Sequence, residues 1–347
     1  MLALWLIALW LVFCRLTRLP RHIAGGVLGG FWLALVALLA VAPGSRLAQV
    51  MGGSALGWLV LGGAVGLVVA YRRLLRVLRQ RAVPDEVAPV VPDDLSDAEL
   101  DRYARHIVLP EIGGAGQMRL RGARVLVVGA GGLGAPVCLY LAAAGVGHIT
   151  LADDDTVSLS NLQRQVIFRD DLRGEPKAYA AAQAMLALNP HLDVTPLTRR
   201  ITGADGALIA QHDLVIDGTD SFATRAGVNR ACVAAGVPLL SGAMGRWEGQ
   251  VTLYDPARGG PCMACLFPQA PARDAPCAEA GVVGALPGVI GSLMALEAIK
   301  HLTGAGQGLR GRLVLFDGLS LDSRVITTAR APDCPVCGGL AAGASPA

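Results

Sequence analysis

The chain has 347 residues, enough for two domains or for one large domain with an appendage. A net charge of +3, with 16% charged residues and no long basic face, argues against a nucleic-acid-binding protein. Eight cysteines are too few to make a chain of this length a disulfide scaffold. Hydrophobic residues make up 53% of the chain, and most of the excess lies near the N-terminus.

Residues 1–81 predict a membrane anchor. Segments 23–43 and 47–71 each offer about 20 apolar or small residues, enough to cross a hydrocarbon core of roughly 30 Å. Their frequent glycines would let transmembrane helices approach closely. Residues 1–14 are uncharged but reach only roughly 21 Å, so this segment either spans or lies in the interface. We therefore expect two or three N-terminal transmembrane helices, with a pair of buried helices in a soluble core as the alternative.

Charged residues around these segments predict their orientation. Arginines precede residues 23–43 and follow residues 47–71, whereas the connection between the two carries only Arg46. The positive-inside rule then places the C-terminal part on the cytoplasmic side of a multi-pass protein of the inner membrane. Residues 82–95 carry three prolines and four acids and predict an extended linker. A capping box of Ser96 and Glu99 starts a domain over 96–347.

A glycine turn follows the first strand of this domain. The sequence RVLVVGAGGLGAP places Gly129, Gly131 and Gly134 between an apolar strand and a helical pattern. A second strand, HITLADDD, reaches Asp153, close to the spacing of about 20 residues at which an acid accepts from ribose hydroxyls. Strand, glycine turn, helix, strand and acid predict a nucleotide-binding βαβ unit in which the turn leaves room for a phosphate. Taken alone, this pattern fits NAD, FAD or ATP, or a turn that serves packing only.

Cations after the ribose acid favour ATP. Asn161, Arg164 and Gln165 follow Asp153, and Lys177 begins the next helix. Two cations and an amide beside a glycine turn suit a triphosphate, whose charge grows as pyrophosphate departs. Either cation alone would be interpreted as solvated surface.

A third strand, DLVIDGTD, ends in Asp217 and Asp220. An acid just past the carboxyl end of a parallel strand lies at the edge of the site and is suited to hold Mg²⁺. The alternative is that Asp220 is the N-cap of the helix that follows.

Four cysteines form two CxxC pairs, Cys262 with Cys265 and Cys334 with Cys337. Paired thiolates at this spacing predict one tetrahedral Zn²⁺ with no open position, hence a structural ion. The long separation between the two pairs suggests that the ion pins the C-terminal strand to the sheet. Redox-active or free thiols are the alternative. Cys277, in APCAEAGVVG, is an isolated thiol whose simplest interpretation is an inert one.

DTVSLSNLQRQ, GEPK, DGTD, EGQVTLYD and the two CxxC pairs, in this order, resemble the MoeB/ThiF/HesA family. Its members are bacterial E1-like adenylyltransferases that activate ubiquitin-like sulfur carriers, and the likeness is greatest to the molybdopterin-synthase adenylyltransferases. It runs from about Leu100 to Gly338 and leaves out the N-terminal segment. The resemblance implies an α/β, Rossmann-like mixed sheet with a zinc-pinned C-terminal region.

The resemblance also assigns roles to residues. It implies that Gly132 and its neighbours approach the phosphates, that Asp153 binds ribose, and that Asp220, with Ser221 beside it, holds Mg²⁺. Arg105 matches an arginine that reaches into the partner subunit's active site, which implies a homodimer. Cys277 lies where members with a persulfide or thioester step use a cysteine, so a covalent role is its alternative interpretation. The implied triphosphate ligands are Ser160, Asn161, Arg164 and Lys177.

Together these observations predict an ATP-, Mg²⁺- and Zn²⁺-dependent nucleotidyltransferase. It would adenylate the C-terminal Gly-Gly carboxylate of a MoaD-like carrier and release pyrophosphate, in molybdenum cofactor biosynthesis. A ThiS-like carrier for thiamine biosynthesis is the nearest alternative. An NAD-dependent oxidoreductase and a non-catalytic membrane nucleotide sensor are the competing classes. Asp154 departs from the family, in which this position is usually apolar or neutral.

Overall fold

The computed structural model describes residues 2–3, 5–7, 9–10, 21–52, 54–81, 95–269 and 281–340. Two compact units make up the chain, Met1–Val90 and Val91–Ala347. Most of the predicted linker (82–94) lies outside the described residues, and so does Cys277.

The described residues of the first unit are mostly helical. Its described helices are α1 (Arg21–Val41), α2 (Arg46–Met51) and α3 (Ala55–Arg81), and α1 packs against α3. Trp58 lies in a small apolar core with Leu35 and Leu39. Its indole Nε1 donates to the carbonyl of Gly52 at 3.1 Å.

The prediction of transmembrane helices is wrong, and with it the predicted membrane anchor and inner-membrane location. Among the residues that the structure describes, no helix combines the length and the apolar character that a membrane crossing requires. The predicted span 47–71 is divided, because α2 ends at Met51 and α3 begins at Ala55.

The second unit is built on one eight-stranded sheet. Its order is β3-β2-β1-β4-β5-β6-β7-β8. The strands from β3 to β5 along this order are parallel, and the last three are antiparallel to their neighbours. This mixed sheet confirms the predicted Rossmann-like α/β core. The strands are β1 (Arg124–Val128), β2 (His148–Ala152), β3 (Asp193–Leu197), β4 (Leu214–Asp217), β5 (Leu239–Met244), β6 (Glu248–Tyr254), β7 (Arg312–Asp317) and β8 (Asp322–Thr327).

Helices cover both faces of the parallel part of the sheet. Val125 and Val127 of β1 lie in one apolar core, and Leu126 and Val128 lie in the other. Burial on both faces explains why β1 is apolar at successive positions instead of alternating. The helices of this unit are α4 (Asp97–Ile107), α5 (Gly113–Gly122), α6 (Gly134–Ala144), α7 (Lys177–Leu188), α8 (Gly206–Ile209), α9 (Phe222–Ala235), α10 (Met263–Leu266) and α11 (Leu286–Thr303).

The predicted capping box is present at the start of α4, where Ser96 and Glu99 each accept from the backbone of the other. The strand order reverses between β1 and β4, because the chain goes from β1 outward to β2 and β3 and then returns. In open α/β sheets, ligands bind at the carboxyl ends of the strands where the order reverses.

Candidate functional site

The glycine turn lies at that reversal. Gly129 follows β1 with φ +93°, a conformation that favours glycine. Gly218, which follows β4, donates its backbone N–H to the carbonyl of Val128 at 3.0 Å. A Cβ on Gly134 would lie 1.9 Å from the carbonyl oxygen of Gly129. The turn therefore admits no side chain at Gly134, and α6 begins directly against the end of β1.

Asp153 ties the end of β2 to this turn. Its Oδ2 accepts from the backbone N–H of Ala130 at 2.7 Å, and its Oδ1 accepts from that of Asp155 at 2.9 Å. Burial raises the pKa of Asp153, while these two N–H groups and the ammonium of Lys177 act to lower it. A carboxylate oxygen has more than one lone pair, so both oxygens can still accept from ribose hydroxyls.

A loop from Asp155 to Lys177 carries the predicted triphosphate ligands. Val157 donates to the carbonyl of Glu175 at 2.9 Å, and Gly174 donates to that of Val157 at 2.9 Å. Lys177 donates its backbone N–H to the carbonyl of Asp155 at 3.0 Å. These bonds close the base of the loop, so that the ammonium of Lys177 acts on Asp153 although the whole loop separates the two residues in the chain.

The cations of this loop differ in their surroundings. The Lys177 side chain is only 5% exposed, and its Nζ lies 2.8 Å from Oδ2 of Asp155. Arg164 is half-buried and donates from Nη1 to the carbonyl of Ser160 at 3.1 Å. Ser160 is exposed, and Asn161 is half-buried.

Gln165 is a residue for which the sequence predicted no role beyond that of an amide near the cations. It is buried, and its Oε1 has no hydrogen-bond partner among the described residues. Its Nε2 lies 3.8 Å from the position that a Cβ on Gly131 would take. A buried amide oxygen without a donor beside the glycine turn is a feature that only the folded structure reveals.

The two acids near the carboxyl end of β4 have different surroundings. Asp217 is fully buried, and its Oδ1 accepts from the N–H and the hydroxyl of Thr219 at 3.0 and 2.7 Å. Asp220 is exposed at the end of the same strand. The N-cap of α9 is Ser221, whose hydroxyl accepts from Thr224. Asp220 is therefore not the cap, and its side chain is exposed to solvent.

Arg105 and Cys277 are two further residues for which the sequence predicted a role. Arg105 is exposed on α4, so its side chain is accessible to a second copy of the chain. Cys277 is outside the described residues, and its covalent role stays a prediction.

The four predicted zinc ligands do come together. The sulfur of Cys262 lies 3.8 Å from that of Cys265 and 3.6 Å from that of Cys334, and those of Cys265 and Cys337 lie 3.4 Å apart. All four sulfurs are within 4.8 Å of one another. Zinc–sulfur bonds of about 2.3 Å place tetrahedral sulfurs about 3.8 Å apart, so the four thiols fit one zinc ion.

This thiol cluster (Cys262, Cys265, Cys334 and Cys337) joins the C-terminal segment to the helices. Cys262 precedes α10, where the N–H of Met263 donates to the side chain of Asn229 on α9 at 2.9 Å. Burial acts to raise the pKa of Cys334, but backbone N–H groups of Cys337 and Val336 lower it to about 7. A thiol that ionises readily is suited to bind a metal.

A cavity of about 440 Å³ lies at the opposite edge of the sheet, near Ala123, Asp213 and Pro238. The most deeply buried polar side chain that lines it is already satisfied. His212 contacts the carbonyl of Leu208 through Nδ1 at 2.9 Å and the hydroxyl of Thr150 through Nε2 at 2.8 Å. The cavity is at the amino ends of the strands, so we do not assign it to the nucleotide.

Three of the relatives that this chain matches cover about 70% of its length. The chain is 48% identical over 246 residues to the molybdopterin-synthase adenylyltransferase of Escherichia coli (strain K12), covering 71% of this chain and 99% of that protein. It is 48% identical over 247 residues to the sulfur carrier protein adenylyltransferase of Thermus thermophilus, covering 69% and 91%. The SAMP-activating enzyme E1 of Haloferax volcanii is 46% identical over 247 residues, covering 70% and 91%.

A solved structure is similar in fold. The crystal structure of E. coli MccB with MccA-N7isoASN matches with a TM-score of 0.62 and 24% identity, over 69% of this chain and 75% of that one. At this identity the likeness concerns the fold alone. The family model described as the ThiF family matches residues 103–336. The resemblance found in the sequence motifs is thus confirmed, and the chain belongs to the ThiF family.

Proposed function

We propose that this chain adenylates the C-terminal Gly-Gly carboxylate of a ubiquitin-like sulfur carrier of the MoaD type, as a step of molybdenum cofactor biosynthesis. The observation that carries the proposal is the closed loop from Asp155 to Lys177, which places a buried lysine beside Asp153 and the glycine turn. A dinucleotide site needs no such cation next to the ribose acid. The relatives named as adenylyltransferases of molybdopterin synthase and of a sulfur carrier support the same reaction.

The reaction is an in-line attack on ATP. A carboxylate oxygen of the carrier's last glycine bonds to the α-phosphorus, and the bond from that phosphorus to the bridging oxygen of pyrophosphate breaks. The products are an acyl-adenylate and pyrophosphate. No protein nucleophile is required, so orientation and charge stabilisation supply the rate.

Each residue of the site has a defined part in this scheme. The turn residues Gly129, Gly131, Gly132 and Gly134 admit the phosphates to the start of α6. Asp153 holds the ribose, and Ser160, Asn161, Arg164 and Lys177 contact the triphosphate. Asp220, with Ser221 beside it, would hold Mg²⁺, which when bound would neutralise negative charge on the phosphates.

Three further assignments belong to the proposal. Residues 96–347 form the adenylyltransferase domain, and residues 1–81 belong to the other compact unit of the chain. Arg105 completes the site of a second copy, so the enzyme acts as a homodimer. Any covalent step at Cys277 follows adenylation, because sulfur attacks the acyl-adenylate only once it exists.

ATP–pyrophosphate exchange tests the proposal. We expect exchange only with Mg²⁺ and a carrier that ends in Gly-Gly, and none with the same carrier shortened by its last glycine. A ThiS-like carrier in a parallel assay distinguishes the two pathways, because the preferred carrier supports the higher kcat/KM. Absence of exchange with every Gly-Gly carrier would contradict the proposed function.

A further inference from the structure

Asp155 is an acid at the nucleotide site to which the proposed reaction gives no role. It follows the ribose acid Asp153 by two residues, and its side chain is 63% exposed. Its Oδ2 lies 2.8 Å from Nζ of Lys177, whose side chain is 5% exposed. The pair therefore joins an exposed carboxylate to a buried ammonium.

Asp155 also holds the backbone of Lys177. Its carbonyl accepts the N–H of Lys177 at 3.0 Å, and the next residues continue the pairing through Val157 and Glu175. Thr156 and Pro176 form an antiparallel bridge between these two contacts. Asp155 thus holds Lys177 at two points. Its carbonyl binds the backbone N–H of Lys177 at the first position of α7, and its carboxylate binds the side-chain ammonium.

Such a double contact matters for a flexible side chain. Four carbon atoms separate the ammonium from the backbone of a lysine, and ordering it costs conformational entropy. A buried ammonium also loses hydration unless an acid or a hydrogen-bond acceptor replaces the water. Asp155 supplies the acid, and its exposed side remains in solvent.

We propose that Asp155 is a positioning residue that orients the Lys177 ammonium toward the triphosphate. This inference rests on the proposed function. An ammonium has three donors, so one bond to Asp155 leaves two for phosphate oxygens. Because the lysine is in place before the nucleotide binds, no reorganisation is required as charge develops on the leaving pyrophosphate. Asp155 acts only through Lys177 and does not contact the substrate.

A double-mutant cycle tests this role, with Asp155→Ala, Asp155→Asn, Lys177→Ala and the Asp155→Ala/Lys177→Ala double variant. We expect Asp155→Ala to lower kcat for exchange by about 50-fold, with a smaller change in KM for ATP. The reason is that the correctly oriented Lys177 ammonium stabilises mainly the transition state. Asp155→Asn should retain at least about a fifth of the wild-type kcat for exchange, because the asparagine amide oxygen still accepts a hydrogen bond from the Lys177 ammonium. In the Lys177→Ala background, Asp155→Ala should change the rate by less than about twofold.

Asp171→Ala is the matched control. Asp171 lies on the same loop, its side chain is 64% exposed, and it pairs with the exposed Arg169. We expect this variant to keep the wild-type rate, and we expect all the Asp155 variants to melt within a few degrees of the wild type. Equal rates for Asp155→Ala and Asp171→Ala, or losses that multiply in the double variant, would overturn the proposal.

Calorimetry of Mg-ATP binding separates this inference from the proposed function. If the wild type binds Mg-ATP but catalyses exchange with no carrier, the proposed function is wrong. The double-mutant cycle can then still be evaluated from the dissociation constants of the four proteins for Mg-ATP. Asp155→Ala and Lys177→Ala should then each weaken binding by about tenfold, with no further loss in combination. If the wild type does not bind Mg-ATP, both proposals are wrong.

Discussion

The nucleotide site and the thiol cluster are both polar, but they differ in how many of their polar groups can be satisfied by neighbouring protein groups or by one zinc ion. In the thiol cluster three of four cysteines are buried, and the four sulfurs within 4.8 Å of one another can fill every position around one zinc ion. In the nucleotide site, Ser160 and Asp220 are exposed and the buried Gln165 retains an amide oxygen without a partner among the described residues. A saturated cluster holds the fold together, whereas a site with unused donors and acceptors is prepared for a substrate.

This difference predicts that activity and stability can be lost separately. Changes in the nucleotide site should remove exchange and leave the melting temperature nearly unchanged. Changes in the thiol cluster should lower the melting temperature first.

Lys177→Ala should have the largest effect on activity. We expect exchange to fall by about 10³-fold, because removal of one preorganised charge from a developing anion costs about 10² to 10³ in rate. The loss is measured as kcat for ATP–pyrophosphate exchange at saturating ATP and carrier. Arg169→Ala is the control, since Arg169 is an exposed cation on the same loop that pairs with Asp171. Comparable losses in both variants would mean that general charge, and not position, governs the site.

Cys337→Ser should have the largest effect on stability. Loss of one ligand releases the zinc, and we expect the melting temperature to fall by about 10 °C, as several kcal/mol would cause in a domain of this size. Metal analysis and thermal unfolding measure both effects. Cys138→Ala is the control, because burial raises the pKa of this core thiol to about 12 and it lies outside the cluster. Cys138→Ala should keep its zinc. A Cys337→Ser protein that keeps its melting temperature but loses exchange would place the cluster in the chemistry.

Asp154→Leu should have the smallest effect, although it restores the apolar character usual in the family. Asp154 pairs with Nε of Arg200 at 3.0 Å, and the two side chains are 43% and 65% exposed. Exposed pairs contribute little to stability. We expect KM for ATP to change by less than about threefold and the melting temperature by less than about 2 °C. A tenfold change in KM would show that this pair borders the bound nucleotide.

Local spacing explains what the sequence could predict. The turn from Gly129 to Gly134 and the two CxxC pairs have geometries that are set within a few residues, so their local structure can be predicted without coordinates. The capping box at Ser96 was readable for the same reason. The parallel core follows from alternating strands and helices.

Long-range contacts explain what it could not predict. The pairing of Asp155 with Lys177 depends on closure of the loop between them, and the buried amide of Gln165 depends on its packing beside the turn. The choice of Ser221 over Asp220 as the N-cap depends on where α9 begins. The prediction for residues 47–71 was wrong because hydropathy counts do not detect a break between Met51 and Ala55.

Mass spectrometry of the carrier protein tests the central claim most directly. After incubation with the chain, Mg-ATP and an inorganic pyrophosphatase, a carrier ending in Gly-Gly should gain the mass of one adenylyl group (AMP less one water) at its terminal carboxylate. The same carrier without its last glycine should gain nothing, and Lys177→Ala should form the adduct about 10³-fold more slowly. If the protein binds Mg-ATP but the Gly-Gly carrier stays unmodified, adenylation is not the function of this site.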